Sequence, residues 1–148
     1  MNERQRPVAA ILVGGLLAGA LDMTSAFIFY GWNIPRGIAA GLIGRGAAGA
    51  GGVEIWFLGM FLHFFITCVA AAVYWAFSRR LVFLRQHAFV CGLFFGIAVF
   101  LVMSLVVLPL SALHSHAALE RHDLVQGLLV HMFLVGLPIS YSIRVFAR

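Results

Sequence analysis

IWFLGMFLHFFITCVAAAVYWAF, residues 55–77, decides the fold. The stretch carries no charged side chain. As an α-helix it is long enough to cross the hydrocarbon of a bilayer, which takes about 20 residues at a rise of about 1.5 Å each. A helix is required there, because lipid offers no water to satisfy backbone N–H and C=O groups. Three more stretches of the same kind, 8–30, 88–113 and 124–143, predict four spans in all.

The whole chain agrees with that reading. It has 148 residues, 63% of them hydrophobic and 10% charged, and a mean hydropathy of +1.03. A soluble domain is about one quarter charged, because charge coats its surface. This composition excludes a water-soluble globule, a disordered chain and a disulfide scaffold. The expected fold is an all-α integral membrane protein, a four-transmembrane-helix bundle over 1–148 as a single membrane domain.

All ten basic residues are arginines, and the net charge is +5. They form no continuous basic face and no stacking platform accompanies them, so nucleic acid is excluded as a partner. With four spans, both termini and the middle loop share one side. That side holds Arg4, Arg6, Arg79, Arg80, Arg85, Arg144 and Arg148, against Arg36, Arg45 and Arg121 on the other. The positive-inside rule then places both termini in the cytoplasm, in a cytoplasmic (inner) membrane. Tyr30, Trp32 and Trp56 mark the outer interface, and Tyr74, Trp75 and Tyr141 the inner one. Ala18-Gly19-Ala20 resembles a signal-peptide cleavage site. Because the apolar run continues to Tyr30, an uncleaved first helix is expected. Cys68 and Cys91 read as small buried hydrophobes at different depths.

The first outer loop, 31–54, is more than a connector. Asn33 is positioned to cap a short helix with Pro35 in its first turn. Ile34, Ile38, Leu42 and Ile43 recur at helical spacing, predicting an amphipathic interfacial helix over about 34–46. The glycine-rich run 44–52 is expected to be flexible.

The halves of the chain echo each other. Gly15-Leu16-Leu17-Ala18-Gly19 matches Gly92-Leu93-Phe94-Phe95-Gly96, and the GxxxHxF pattern 59–65 matches 127–133. Chance similarity is one reading. The other is two tandem helical hairpins related by a pseudo-two-fold axis along the membrane normal. On either reading Gly15, Gly19, Gly92 and Gly96 suit close helix packing.

Asp22, His63 and His131 lie well inside the apolar spans, each roughly 10–12 Å below the outer boundary by helical rise. Ionisable groups are costly at that depth, so they should face inward and find one another. Asp22 is expected to accept a hydrogen bond from a histidine, with Thr24, Ser25, Thr67 and Ser104 completing the network. Such a cluster can be polar glue that fixes helix register. It can also offer axial ligands to a b-type haem, with the glycine one turn before each histidine leaving room for the macrocycle. A divalent metal bound by Asp22, His63 and His131, or a proton relay, are further readings. The second outer loop adds His114, His116, Glu120, His122 and Asp123, either an ordinary solvated loop or a shallow metal site. Pro109 and Pro138 are expected to kink the third and fourth helices.

No Walker loop, dinucleotide fingerprint, HExxH motif or nucleophile elbow is present, so no catalytic residue is assigned. Two function classes stay open. One is a membrane protein whose Asp/His/His cluster binds a metal, haem or protons. The other is a structural or accessory subunit of a larger membrane complex. Four helices make a narrow path, so transport would call for a homo-oligomer or such a complex.

Leu62-His63-Phe64, Ala70-Ala71-Ala72-Val73-Tyr74, Val107-Leu108-Pro109-Leu110-Ser111 and His131 through Gly136-Leu137-Pro138 together give a pattern that resembles small bacterial four-helix inner-membrane proteins of the YagU type. The resemblance implies a bacterial source and an integral membrane location. That family carries no assigned biochemical activity, so no catalytic role transfers.

Overall fold

The computed structural model describes residues 5–114 and 121–146, and those residues are helical almost throughout, with no strand among them. The elements are α1 (Gln5–Tyr30), α2 (Ile34–Ile43), α3 (Arg45–Ala50), α4 (Val53–Ser78) and α5 (Phe83–Gln86). α6 runs from Ala88 to Leu110 and contains a π-helical turn at Met103–Val107. α7 joins Arg121–Val130 to Leu137–Phe146 through a second π turn, His131–Gly136. Four helices are long and apolar enough to cross a membrane: Arg6–Tyr30, Val53–Ser78, Ala88–Leu110 and Asp123–Phe146. Their large side chains point largely outwards, with Phe57, Phe61, Phe94 and Leu105 each more than 60% exposed. Such apolar surface is stable against lipid and not against water.

Small residues fill the interior, as they do where helices must approach without a hydrophobic driving force. α1 lies between α4 and α7. Gly14 of α1 faces Ser142 and Ile139 of α7, and the Ser142 hydroxyl donates to the carbonyl of Ala10 at 2.8 Å. Ala10, Ala18, Ala71, Tyr74, Val135, Ile139 and Ile143 form the core. α6 packs along α7 and touches α4 through the Tyr74 and Phe95 rings, 4.9 Å between centroids. Elsewhere a cleft separates α6 from α4. The two hairpins are therefore not placed symmetrically, since α1 is sandwiched while α6 flanks.

Within the hairpins the echoed motifs do correspond. A Cβ on Gly19 would lie 2.7 Å from Phe64 and 2.8 Å from Thr67, just after His63. A Cβ on Gly96 would meet the His131 carbonyl and Met132. Gly15 faces Cys68 and Gly92 faces Gly136, each five residues beyond its histidine. Both thiols are free and partly exposed.

The expected kinks take the form of π turns. Pro109 and Pro138 each follow one by two residues. Proline lacks an N–H and its ring crowds the carbonyl one turn back, and a widened i→i+5 turn relieves both effects.

The first loop is more ordered than its glycines suggest. α2 forms with Pro35 in its first turn, but the Asn33 side chain makes no capping bond. The backbone carbonyl of Asn33 serves instead, accepting from Arg36 N–H at 3.0 Å. α2 buries Pro35, Ala39 and Ala40 and leaves Leu42 of the isoleucine–leucine stripe 61% exposed. Gly44, at φ +83°, ends it in a conformation natural to glycine. The run expected to be flexible is α3 over most of its length. At this end Phe27, Trp32 and Trp56 stack on one another, with Trp32 4.4 Å from Phe27 and 5.6 Å from Trp56 between centroids. The Trp56 indole N–H donates to the Trp32 carbonyl at 2.9 Å.

Candidate functional site

Three spans bring their ionisable residues to one cavity of about 460 Å³, lined by Asp22 of α1, His63 of α4 and His131 of α7. α2 lies across one end of it through Ile34 and Ile38, and α6 supplies Val99, Phe100 and Met103. The small residues around α1 permit this convergence, because they let three backbones approach within reach of short polar side chains.

His63 is nearly buried, with its side chain 11% exposed, and Asp22 beside it is 17% exposed. His63 Nε2 lies 2.9 Å from the carbonyl oxygen of Gly19 and 3.8 Å from Asp22 Oδ2. A carbonyl only accepts, so Nε2 carries a proton and donates it to Gly19. The expected Asp22–histidine hydrogen bond is thus replaced by a bond to the α1 backbone. The carboxylate sits at ion-pair distance alongside. Gly19 makes this possible twice over: it lets α4 approach and it offers the carbonyl.

His131 makes a different choice. Its Nδ1 lies 2.8 Å from the carbonyl of Gly127, one turn back on its own helix, so Nδ1 carries the proton. Its ring packs edge-on to Phe100, 5.4 Å between centroids. When both rings are neutral, His63 therefore presents a bare Nδ1 and His131 a bare Nε2.

These opposite tautomers bear on the haem reading. Two axial histidines would each have to offer an unprotonated nitrogen to one iron, and the Nε2 of His63 is committed to Gly19. The space expected beside the glycines is also filled. A Cβ on Gly59 would run into the backbone of Pro35, and one on Gly127 into the Phe100 ring. The residues present do not fit a bis-histidine haem. Among the described residues no group of three or more His, Cys, Asp or Glu could hold a metal ion, so the Asp22, His63, His131 metal reading lacks a donor set.

The supporting hydroxyls divide. Ser25 and Thr67 line the cavity and Ser104 does not. Thr24 turns its hydroxyl back to the Ala20 carbonyl at 2.7 Å. The five second-loop residues also divide. His116 and Glu120 lie outside the described residues, as does the side chain of His122. His114 is exposed, with a left-handed backbone at φ 45°. Asp123 is exposed and lines the cavity, which the reading of it as a loop residue missed. Tyr30 and Gln126 line the cavity too, and the Gln126 amide donates to the Tyr30 oxygen at 3.5 Å. The available signal was positional: Asp123 and Gln126 precede and follow the first residue assigned to the fourth span, at the depth of Tyr30. No family model, curated protein or solved structure matches the chain.

Proposed function

We propose that the chain is a multi-pass membrane protein whose Asp22–His63 pair binds protons within a largely apolar, ligand-accepting cavity, with His131 as the second imidazole. One observation carries this reading: a carboxylate and two imidazoles from three spans line one cavity, with Asp22 3.8 Å from His63. Ionisable groups inside a membrane are expensive and are retained where they do chemistry. Histidine changes charge near neutral pH, so a carboxylate at this distance can share its proton load. Each ring keeps one unprotonated nitrogen when neutral, so each can accept a proton or a hydrogen bond without breaking its anchor to the backbone.

On this reading the four spans form one bundle and a single domain, both termini are cytoplasmic by the arginine bias, and α2 lies at the outer interface. Gly15, Gly19, Gly92 and Gly96 act as packing positions. A homo-oligomer or a larger complex would supply any path for a solute.

The test is infrared difference spectroscopy of the protein in lipid through a pH titration. One component of the protonated-carboxyl band should be missing in Asp22→Asn, and His63→Gln should change the frequency of that component. If Asp22→Asn leaves the spectrum unchanged and lowers only thermal stability, the cluster is packing glue and the accessory-subunit reading stands.

A further inference from the structure

Beside the cavity that holds Asp22, His63 and His131, the cleft between α4 and α6 has a volume of about 530 Å³ and is lined by apolar side chains alone. The two spaces share walls: Ile66, Ala70, Val99 and Met103 line both. The outer lips of the cleft, Phe65, Val69 and Val102, are 45–55% exposed on the lipid-facing surface. An apolar space of this kind offers water no partners, and a neighbouring hydrocarbon chain fills it without desolvating anything. Each volume lies within the about 300–1,000 Å³ of ordinary ligand sites. Both π turns also begin at the cavity, one at Met103 and the other at His131, and such turns gather at functional sites.

The lining specifies the head that would sit at the polar end. Asp22 and the bare nitrogens of His63 and His131 accept hydrogen bonds. The Tyr30 hydroxyl, whose oxygen already accepts from Gln126, is left to donate. Among the described residues the lining includes the carboxylates of Asp22 and Asp123, and no arginine. An anionic head would meet Asp22, whereas a hydroxyl both donates to the acceptors and accepts from Tyr30.

We infer that cavity and cleft form one site for an amphiphile, an uncharged hydroxyl head among Asp22, His63 and His131 and a hydrocarbon tail between α4 and α6, entering sideways from the bilayer. The inference rests on the cavity being a ligand site, as proposed above, and adds the class of ligand. A long-chain alcohol, a diglyceride and an isoprenoid hydroquinone share this chemistry.

The experiment uses the full chain in phosphatidylcholine nanodiscs with a hexadecanol carrying a mid-chain diazirine, adducts being mapped by mass spectrometry. Adducts should concentrate on cleft residues of α4 and α6. Excess hexadecanol should lower their yield by about fivefold or more while palmitate, of equal length but anionic, does not. Dioleoylglycerol and ubiquinol in the same competition show which source binds best. Ala98→Trp, which fills the cleft from an exposed position, should cut labelling by a similar factor with helicity unchanged, and Val102→Phe serves as a second variant. Adducts spread evenly over lipid-facing positions such as Leu16, Phe57 and Leu129, or equal competition by palmitate, would overturn the inference. If this occurs while the Asp22 infrared band persists, the amphiphile site fails alone. Loss of that band with labelling still concentrated in the cleft removes the proton-binding reading instead.

Discussion

At the residue scale, glycine decides how close the spans come, and the tolerance differs from one glycine to the next. The neighbours of Gly19 are the ring edge of Phe64 and the hydroxyl of Thr67, which are side-chain atoms. Those of Gly96 include the carbonyl of His131 and the Cα of Met132, which are backbone and cannot shift. Gly96→Ala should therefore cost about 1–3 kcal/mol through overpacking, and Gly19→Ala less. Gly37→Ala, with nothing within 4 Å, should be neutral or slightly stabilising because alanine favours helix. Thermal unfolding in detergent orders the three. The two histidines were legible as a pair from GxxxHxF, but their tautomers were not. A ring's proton goes to whichever carbonyl lies nearest, and that depends on whether a partner helix or the residue's own preceding turn supplies it.

At the element scale, α2 closes one end of the cavity because of a single missing side chain. Gly59 lets Pro35 rest directly on α4, and Ala112 N–H donates to the Gly41 carbonyl at 2.8 Å, tying α2 to the end of α6. Gly59→Leu should displace α2 without unfolding the spans. A cysteine at Ile38, which faces the cavity, should then react with a membrane-impermeant maleimide several-fold faster than in the unsubstituted background. An unchanged rate would show that the close approach of Pro35 to Gly59 does not set the position of α2. The spans themselves were readable to within a few residues, since length and hydropathy fix them. The third one ends at Leu110 where the composition suggested 113, because Ser111 takes an extended backbone behind Pro109. The π turns were hidden for a related reason: a proline announces a disturbed turn, and tertiary packing chooses its register.

At the scale of the whole molecule, two hairpins with corresponding internal contacts assemble unequally, and the inequality creates both the cavity and its opening. α1 is enclosed between α4 and α7, while α6 stands off from α4. Asp22 and His63 come from the first hairpin, His131 and Asp123 from the last helix of the second. Depth counting along the spans put the first three at one level, and all three line the cavity. It could not find Asp123, Tyr30 or Gln126, which join the site only because the helix ends converge there. The most direct measurement is solid-state NMR on carbon- and nitrogen-labelled protein in bilayers, reading the dipolar contact between the Asp22 carboxyl carbon and His63 Nε2. The arrangement described predicts a resolved contact between them, with the imidazole protonated at Nε2. Absence of that contact, with the Asp22 carboxyl instead correlated to lipid acyl protons, would contradict it.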